Sequence, residues 1–201
     1  MDLRGVPELI GDLRKQDPQG AWARLRAGVL ARLLDAQRAL AADVRLLVVE
    51  GHRPLALQQH YFDEYRTQVA TAHPDWGPEL VDAEASKHVS PPAVAPHPCG
   101  AAVDLTLVRN GTKLDLGTRV NSTPQESANA CFTAASNISE TARARRQLLG
   151  RALSRAGLGN YPPEWCEVLR RPVLGRHHRG TRSHLHAPLT PPREVAVQES
   201  Q

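Results

Sequence analysis

The stretch Ala101-Ala-Val-Asp-Leu-Thr-Leu-Val108, followed by Arg109-Asn-Gly111, decides the fold of this chain. Apolar residues alternate with small or polar ones along it, which is the two-residue period of a β-strand. Asp104 lies on the face opposite the large apolar side chains. Because Asn110-Gly111 is a strong hairpin signal, we expect the chain to turn back through residues 113–116 beside this strand.

The segments around this hairpin have the patterns of helices and of one further strand. A short, β-branched and apolar run predicts a buried strand at 44–49. Four prolines predict a loop over 90–98, and the polar segment 117–139 predicts a long one. The apolar spacing predicts helices at about 21–42, 54–72, 78–85 and 141–156. This order predicts an α+β fold with a small antiparallel sheet packed with helices in a single domain.

Composition and charge exclude several classes of protein. The 201 residues are 41% hydrophobic and 23% charged, which is typical of a globular protein, and the apolar runs are too short to cross a membrane. Residues 168–201 hold six of the 25 basic and two of the 21 acidic residues, so the other 167 residues carry 19 of each. That balance argues against nucleic acid as a partner.

The start of the chain and its cysteines indicate a compartment. The first residues lack the basic segment and apolar stretch of a secretory signal. The three cysteines are an odd number, and without export we expect them to be reduced thiols. We therefore expect a cytoplasmic protein with neither a membrane nor nucleic acid as partner.

Three short motifs carry residues that are able to do chemistry. In Glu50-Gly-His-Arg-Pro54, the Arg53 guanidinium either projects into a cleft or lies on the surface at a helix start. In His97-Pro-Cys-Gly-Ala-Ala-Val-Asp104, an imidazole and a carboxylate suit zinc, although a capping histidine and a solvated aspartate would give the same letters. In Asn160-Tyr-Pro-Pro-Glu-Trp-Cys-Glu167, Glu164 is either a general base or part of a loop that enters an edge strand.

Together these motifs resemble VanX-type D-alanyl-D-alanine dipeptidases in content, order and separation, over residues 25–165. The resemblance implies one Zn²⁺ per chain with His97 and Asp104 as ligands, and D-Ala-D-Ala or a related cell-wall dipeptide as substrate. It also implies that Glu164 acts as acid and base in metal-assisted hydrolysis. Arg53 would then stabilise the oxyanion of the transition state.

The chain departs from that family after Trp165. The family continues Glu-Trp-Trp-His, with the histidine as third zinc ligand, and this chain has Glu167 at that position, which makes Glu167 the candidate third ligand. Residues 168–201 have no helix or strand period, and their Arg, His and Gly are what a GC-rich gene gives in a wrong reading frame. We therefore divide the chain into a zinc dipeptidase domain, 1–167, and an aberrant, poorly ordered tail, 168–201, that starts at a frameshift.

One further difference from the family concerns Asn121, and two other functions compete with that of a dipeptidase. Asn121 stands where the family has an aspartate that faces the free amino group of the substrate. A cell-wall D,D-carboxypeptidase on the same scaffold is one rival, and the missing export signal counts against it. The other is a catalytically impaired or dead family member, since a third carboxylate ligand would weaken the pull of the ion on its bound water.

Overall fold

A computed structural model describes residues 1–12 and 17–170 of the chain. Within these residues, short 3₁₀ helices at Leu3–Gly5 and Ala21–Ala23 precede the first α-helix. The α-helices are α1 Ala27–Arg38, α2 Leu55–Ala72, α3 Pro78–Ala85, α4 Pro124–Ser127 and α5 Glu140–Arg155. The strands are β1 Ile10–Gly11, β2 Val44–Glu50, β3 Ala102–Arg109, β4 Thr112–Lys113, β5 Leu158–Tyr161 and β6 Glu164–Arg170.

The strands of the described residues form one mixed sheet in the order β1-β2-β3-β6-β5, with β4 on β3. The predicted α+β fold in a single domain is therefore confirmed. All the pairs are antiparallel, as expected, except that β1 runs parallel to β2. With only two residues, β1 has no alternation that would predict it.

The predicted helix at 21–42 is broken in the structure. Its first part is the 3₁₀ helix, and Arg24 and Arg26 have extended backbones before α1 begins. The Arg24 carbonyl accepts the His52 N–H at 2.8 Å, and the Arg26 N–H donates to the Gly100 carbonyl at 3.1 Å. These tertiary hydrogen bonds use backbone groups that a continuous helix would need. The other three helices lie within one residue of their predicted bounds.

Strands β5 and β6 are absent from the sequence-based prediction. For residues 160–167 the alternative of a loop entering an edge strand was wrong, because the strand that follows, β6, lies between β3 and β5 in the interior of the sheet. The predicted domain boundary at residue 167 falls inside β6, which continues to Arg170 and buries Val168 completely. Residues 171–201, most of the predicted tail, lie outside the described residues.

The core lies between one face of the sheet and helices α1 and α5. It includes Val103, Leu105 and Leu107, the apolar face of β3, each fully buried. A smaller apolar cluster joins α2 to α3 through Phe62, Tyr65, Val69, Val81 and Ala85. Since α1 and α5 cover the apolar face, the polar side chain of Asp104 is left on the other face of β3, where a cleft forms. No helix among residues 1–12 and 17–170 is long and apolar enough to span a bilayer.

Candidate metal and catalytic site

Three predicted metal ligands converge at the centre of the sheet. His97 lies in the loop before β3, and Asp104 on β3 is paired directly with Glu167 on β6. One ligand atom from each of the three lies within 4.8 Å of the other two. All three residues are buried, with 3%, 1% and 8% of their surface exposed. Side chains that are distant in sequence thus form one polar cluster under the cleft.

The hydrogen bonds of this cluster fit a cation. The Nδ1 of His97 lies 2.7 Å from the Gly51 carbonyl, which can only accept, so Nδ1 carries the proton. In neutral His97 the lone pair of Nε2 therefore faces Asp104 Oδ1 at 3.5 Å. Asp104 Oδ1 is buried and has no hydrogen-bond partner. Two acceptors that face each other need a cation or a proton between them, and the donor set of imidazole and carboxylates suits zinc.

The pKa values within the cluster reflect its crowding with carboxylates. Burial and Arg53 lower the pKa of His97, but Asp104 and Glu167 outweigh them and raise it. Burial raises the pKa of Glu167 to about 7, against the lowering effect of His97 and with a further rise from Asp104. Burial and the charges of Glu167 and Asp104 raise the pKa of Glu164 well above its usual value. The cluster thus holds more acidic groups than its own cations balance.

Arg53 lies in the cleft, so the alternative of a surface arginine at a helix start was wrong. Its Nε and Nη2 donate to the two oxygens of Glu50 at 3.0 and 2.8 Å, and Nη1 donates to Gln58 at 2.9 Å. The amide of Gln58, itself 1% exposed, donates onward to the Ser90 carbonyl at 2.7 Å. Nη2 also lies 3.7 Å from Asp104 Oδ2. The guanidinium is thereby held in place beside the cluster of His97, Asp104 and Glu167.

A bulge in β6 places both Glu164 and Glu167 on the cleft. Residues three apart on a regular strand point to opposite faces. Here Asn160 of β5 is opposite Val168, and the next residue, Tyr161, is opposite Glu164. Residues 165–167 of β6 therefore have no counterpart on β5 and form a bulge. The Asn160 amide donates to the carbonyls of residues 164, 165 and 167 at 2.9, 3.1 and 3.0 Å. Asn160 was not among the predicted site residues, because no residue period indicates a bulge.

Asn121 and His88 lie next to the acidic side chains of the cleft. The Asn121 amide donates to Asp104 Oδ2 at 3.1 Å, and its oxygen lies 3.5 Å from the thiol of Cys166. Both ends are thus engaged within the protein, and Asn121 holds Asp104 rather than having its oxygen free for a substrate amino group. His88, which the sequence analysis also missed, lies 3.8 Å from Glu164 Oε1 with an unpartnered Nδ1.

The cluster opens into a cleft of about 250 Å³. All five predicted site residues line it: Arg53, His97, Asp104, Glu164 and Glu167. Side chains from α2, including those of Tyr61 and Tyr65, also line the cleft. The structure therefore brings all five predicted site residues to one cavity, while their roles as ligands, base and electrophile stay predictions.

Comparisons with known proteins point to one family. The family model Peptidase_M15, described as D-ala-D-ala dipeptidase, matches residues 14–167. A similar crystal structure is that of a mutant vancomycin-resistance D,D-pentapeptidase, VanY from a VanB-type cassette, in complex with Zn(II). It is 20% identical with a TM-score of 0.47, over 78% of this chain and 76% of that one. VanYB in complex with D-alanine-D-alanine is 21% identical with a TM-score of 0.48, over 78% and 75%.

A third similar structure supports the fold. The LD-carboxypeptidase LdcB is 15% identical with a TM-score of 0.51, over 82% of this chain and 66% of that one. At that identity the likeness concerns the fold alone. The comparison with curated proteins gives no match.

Proposed function

The chain belongs to the Peptidase_M15 family, and from that premise we propose that it is a zinc-dependent peptidase that hydrolyses D-Ala-D-Ala or a closely related D-dipeptide. The observation that carries the proposal is the convergence of His97, Asp104 and Glu167 around the unpartnered, buried Asp104 Oδ1. The bound dipeptide would occupy the cleft above them.

His97, Asp104 and Glu167 would hold one catalytic Zn²⁺. When bound, the ion supplies a Lewis acid that polarises the peptide carbonyl and lowers the pKa of a water ligand to about 7. The Nδ1 bond from His97 to Gly51 and the Asn121 bond to Asp104 orient the two side chains, as partners behind metal ligands commonly do.

Glu164 moves the proton in this proposal. It faces the cleft with 12% of its side chain exposed, close to Asp104 and to His88. Its carboxylate accepts the proton of the attacking water and returns it to the departing amine. The raised pKa of Glu164 favours a group that can hold a proton between these two steps.

Arg53 stabilises the negative charge that develops on the carbonyl oxygen. Its guanidinium is clamped by Glu50 and Gln58, so its orientation is set before the substrate binds. A donor held in place costs no reorganisation at the moment of reaction, and such donors contribute about 10²–10³ in rate.

Glu167 in place of histidine makes the site more negative, but the strand that carries this residue is present. The predicted poorly ordered tail begins at residue 168, but residues 168–170 belong to β6, which pairs with β3 and β5. A third ligand is therefore held rigidly. Since its negative charge weakens the pull of the ion on water, we expect turnover below that of a site with two histidines.

The test combines metal content with two substrates. After dialysis against metal-free buffer we expect one tightly bound Zn²⁺ per chain, release of D-alanine from D-Ala-D-Ala, and no release from an N-acylated peptide ending in D-Ala-D-Ala. Cleavage of the acylated peptide alone would assign a carboxypeptidase, and bound zinc without cleavage of either would assign an impaired member.

The variant Glu164→Gln tests the mechanism. We expect it to keep its zinc and to lose turnover by about 10²–10⁴-fold, because the amide cannot accept the proton. The matched control is Glu79→Gln, an exposed carboxylate in the first turn of α3, which should behave as the wild type. Unchanged turnover in Glu164→Gln would contradict the assignment of the base.

A further inference from the structure

A second group of ligand atoms lies beside the first. A carboxylate oxygen of Asp104, one of Glu164 and the Sγ of Cys166 all lie within 4.8 Å of one another. We propose that these three side chains form a second site for a divalent cation that prefers sulfur, such as Zn²⁺ or Cd²⁺. Asp104 would bridge the two ions. The consequence for catalysis, which rests on the proposed function, is that an ion in this second site inhibits the enzyme because it occupies Glu164.

The surroundings of Cys166 leave its sulfur available to a cation. Among the described residues, the thiol donates only a long bond of 3.5 Å, to the Asn121 oxygen, and it is 2% exposed. Asp104 Oδ1 has no hydrogen-bond partner although Asp104 is 1% exposed. A buried thiol and a buried unpartnered carboxylate oxygen in one cluster are ligand atoms that a bound cation would satisfy.

The charges of the cluster favour more than one divalent ion. Arg53 is paired with Glu50, which leaves the carboxylates of Asp104, Glu164 and Glu167 against whatever cation is bound. One divalent ion leaves a single negative charge uncompensated, and a second ion beside Asp104 and Glu164 would offset that charge.

The spacing of the atoms also permits a second ion. Tetrahedral zinc with bonds of about 2.0–2.3 Å sets its ligands roughly 3.3–3.8 Å apart. Ligand atoms within 4.8 Å of one another reach that spacing through small side-chain rotations. Metal pairs in hydrolytic sites lie about 3.5–4 Å apart, which a shared aspartate can span. Glu164 would then use its lone pairs on the ion and could not accept a proton.

The experiment is a titration of the metal-free protein with Co²⁺ without oxygen, followed by near-ultraviolet absorption and by bound metal per chain. Thiolate bound to Co²⁺ gives a charge-transfer band, and carboxylate or imidazole does not. We expect two equivalents of Co²⁺ to bind per chain. The charge-transfer band should grow as the more weakly bound equivalent is added. Cys166→Ser should lose the band and weaken the second equivalent at least about tenfold, while the buried-cysteine control Cys131→Ser should keep both.

Cadmium-113 NMR of the unaltered protein gives an independent reading that needs no variant. Two signals are expected at saturation, one of them with the downfield shift of a sulfur ligand. A single bound equivalent, or two equivalents without the band and without a sulfur-shifted signal, would overturn the second site.

Failure of the second site can be told apart from failure of the proposed function. One ion that His97→Ala removes, together with hydrolysis of D-Ala-D-Ala, would overturn the second site and leave the function standing. A Cys166-dependent ion in a protein without hydrolysis would support the second site and contradict the function. If both hold, activity should fall at excess Zn²⁺ over the range in which the second equivalent binds.

Discussion

Asn160→Ala tests whether the bulge in β6 organises the site. The Asn160 amide nitrogen carries two hydrogens and lies 2.9–3.1 Å from three carbonyls of residues 164, 165 and 167. The substitution therefore removes about two hydrogen bonds, at about 1 kcal/mol each. We expect the free energy of unfolding to fall by about 2 kcal/mol, which corresponds to about 4–8 °C in Tm for a chain of this size.

The same substitution should weaken metal binding. The bulge sets the direction of Glu164 and Glu167, and loss of a partner behind a metal ligand commonly costs about 10–100-fold in affinity or activity. Urea unfolding measures the stability, and competition with a chromogenic chelator measures the zinc affinity. Asn160→Asp keeps the size and the acceptor for the Thr133 hydroxyl but removes the donors, so it should lose zinc affinity as well.

Asn137→Ala is the matched control for this prediction. The Asn137 amide makes one exposed bond, of 2.9 Å, to the Ala128 carbonyl, and its loss should change stability by no more than about 0.5 kcal/mol. If Asn160→Ala were as stable as this control and bound zinc as tightly as the wild type, the reasoning about the bulge would be refuted.

Two further substitutions give distinct results. Arg146→Leu removes a buried guanidinium that donates to the carbonyls of Leu116, Ala130 and Phe132 at 2.7–2.8 Å. Each carbonyl left unsatisfied costs about 1–3 kcal/mol, so the free energy of unfolding measured in urea should fall by at least about 3 kcal/mol. A fall of less than about 1 kcal/mol would contradict the role of Arg146 in holding the 117–139 loop. Glu167→His should raise zinc affinity and turnover about tenfold or more. Chelator competition measures the affinity and D-alanine release measures the turnover. Lower values for both would count against position 167 as a ligand.

Much of the site could be predicted because its residues stand in short motifs. Arg53, His97, Asp104, Glu164 and Glu167 were singled out from the sequence, and all five line one cleft. The residues that hold these five side chains in place were not singled out from the sequence. Gln58 and Asn160 act through hydrogen bonds to side chains and carbonyls whose positions depend on folding, so no local pattern distinguishes them from other polar residues.

The sequence alone determined the elements with a regular period. The alternation along residues 101–108 and the β-branched run at 44–49 predicted β3 and β2, two strands that the apolar core covers. The helix Pro78–Ala85 was predicted to the residue, because a proline favours the first helical turn. Local conformational preference and burial of one face are properties of neighbouring residues, and a short stretch of sequence contains them.

Only the tertiary structure decided how these elements meet. The pairing of β6 with β3 sets Glu167 opposite Asp104, and the bulge turns Glu164 to the same side. The same pairing brings the Cys166 thiol close to the carboxylates of Asp104 and Glu164. Register between strands distant in the chain depends on packing and hydrogen bonds summed over the whole sheet. The geometry that makes chemistry possible is therefore a property of the folded chain and is not contained in any one segment.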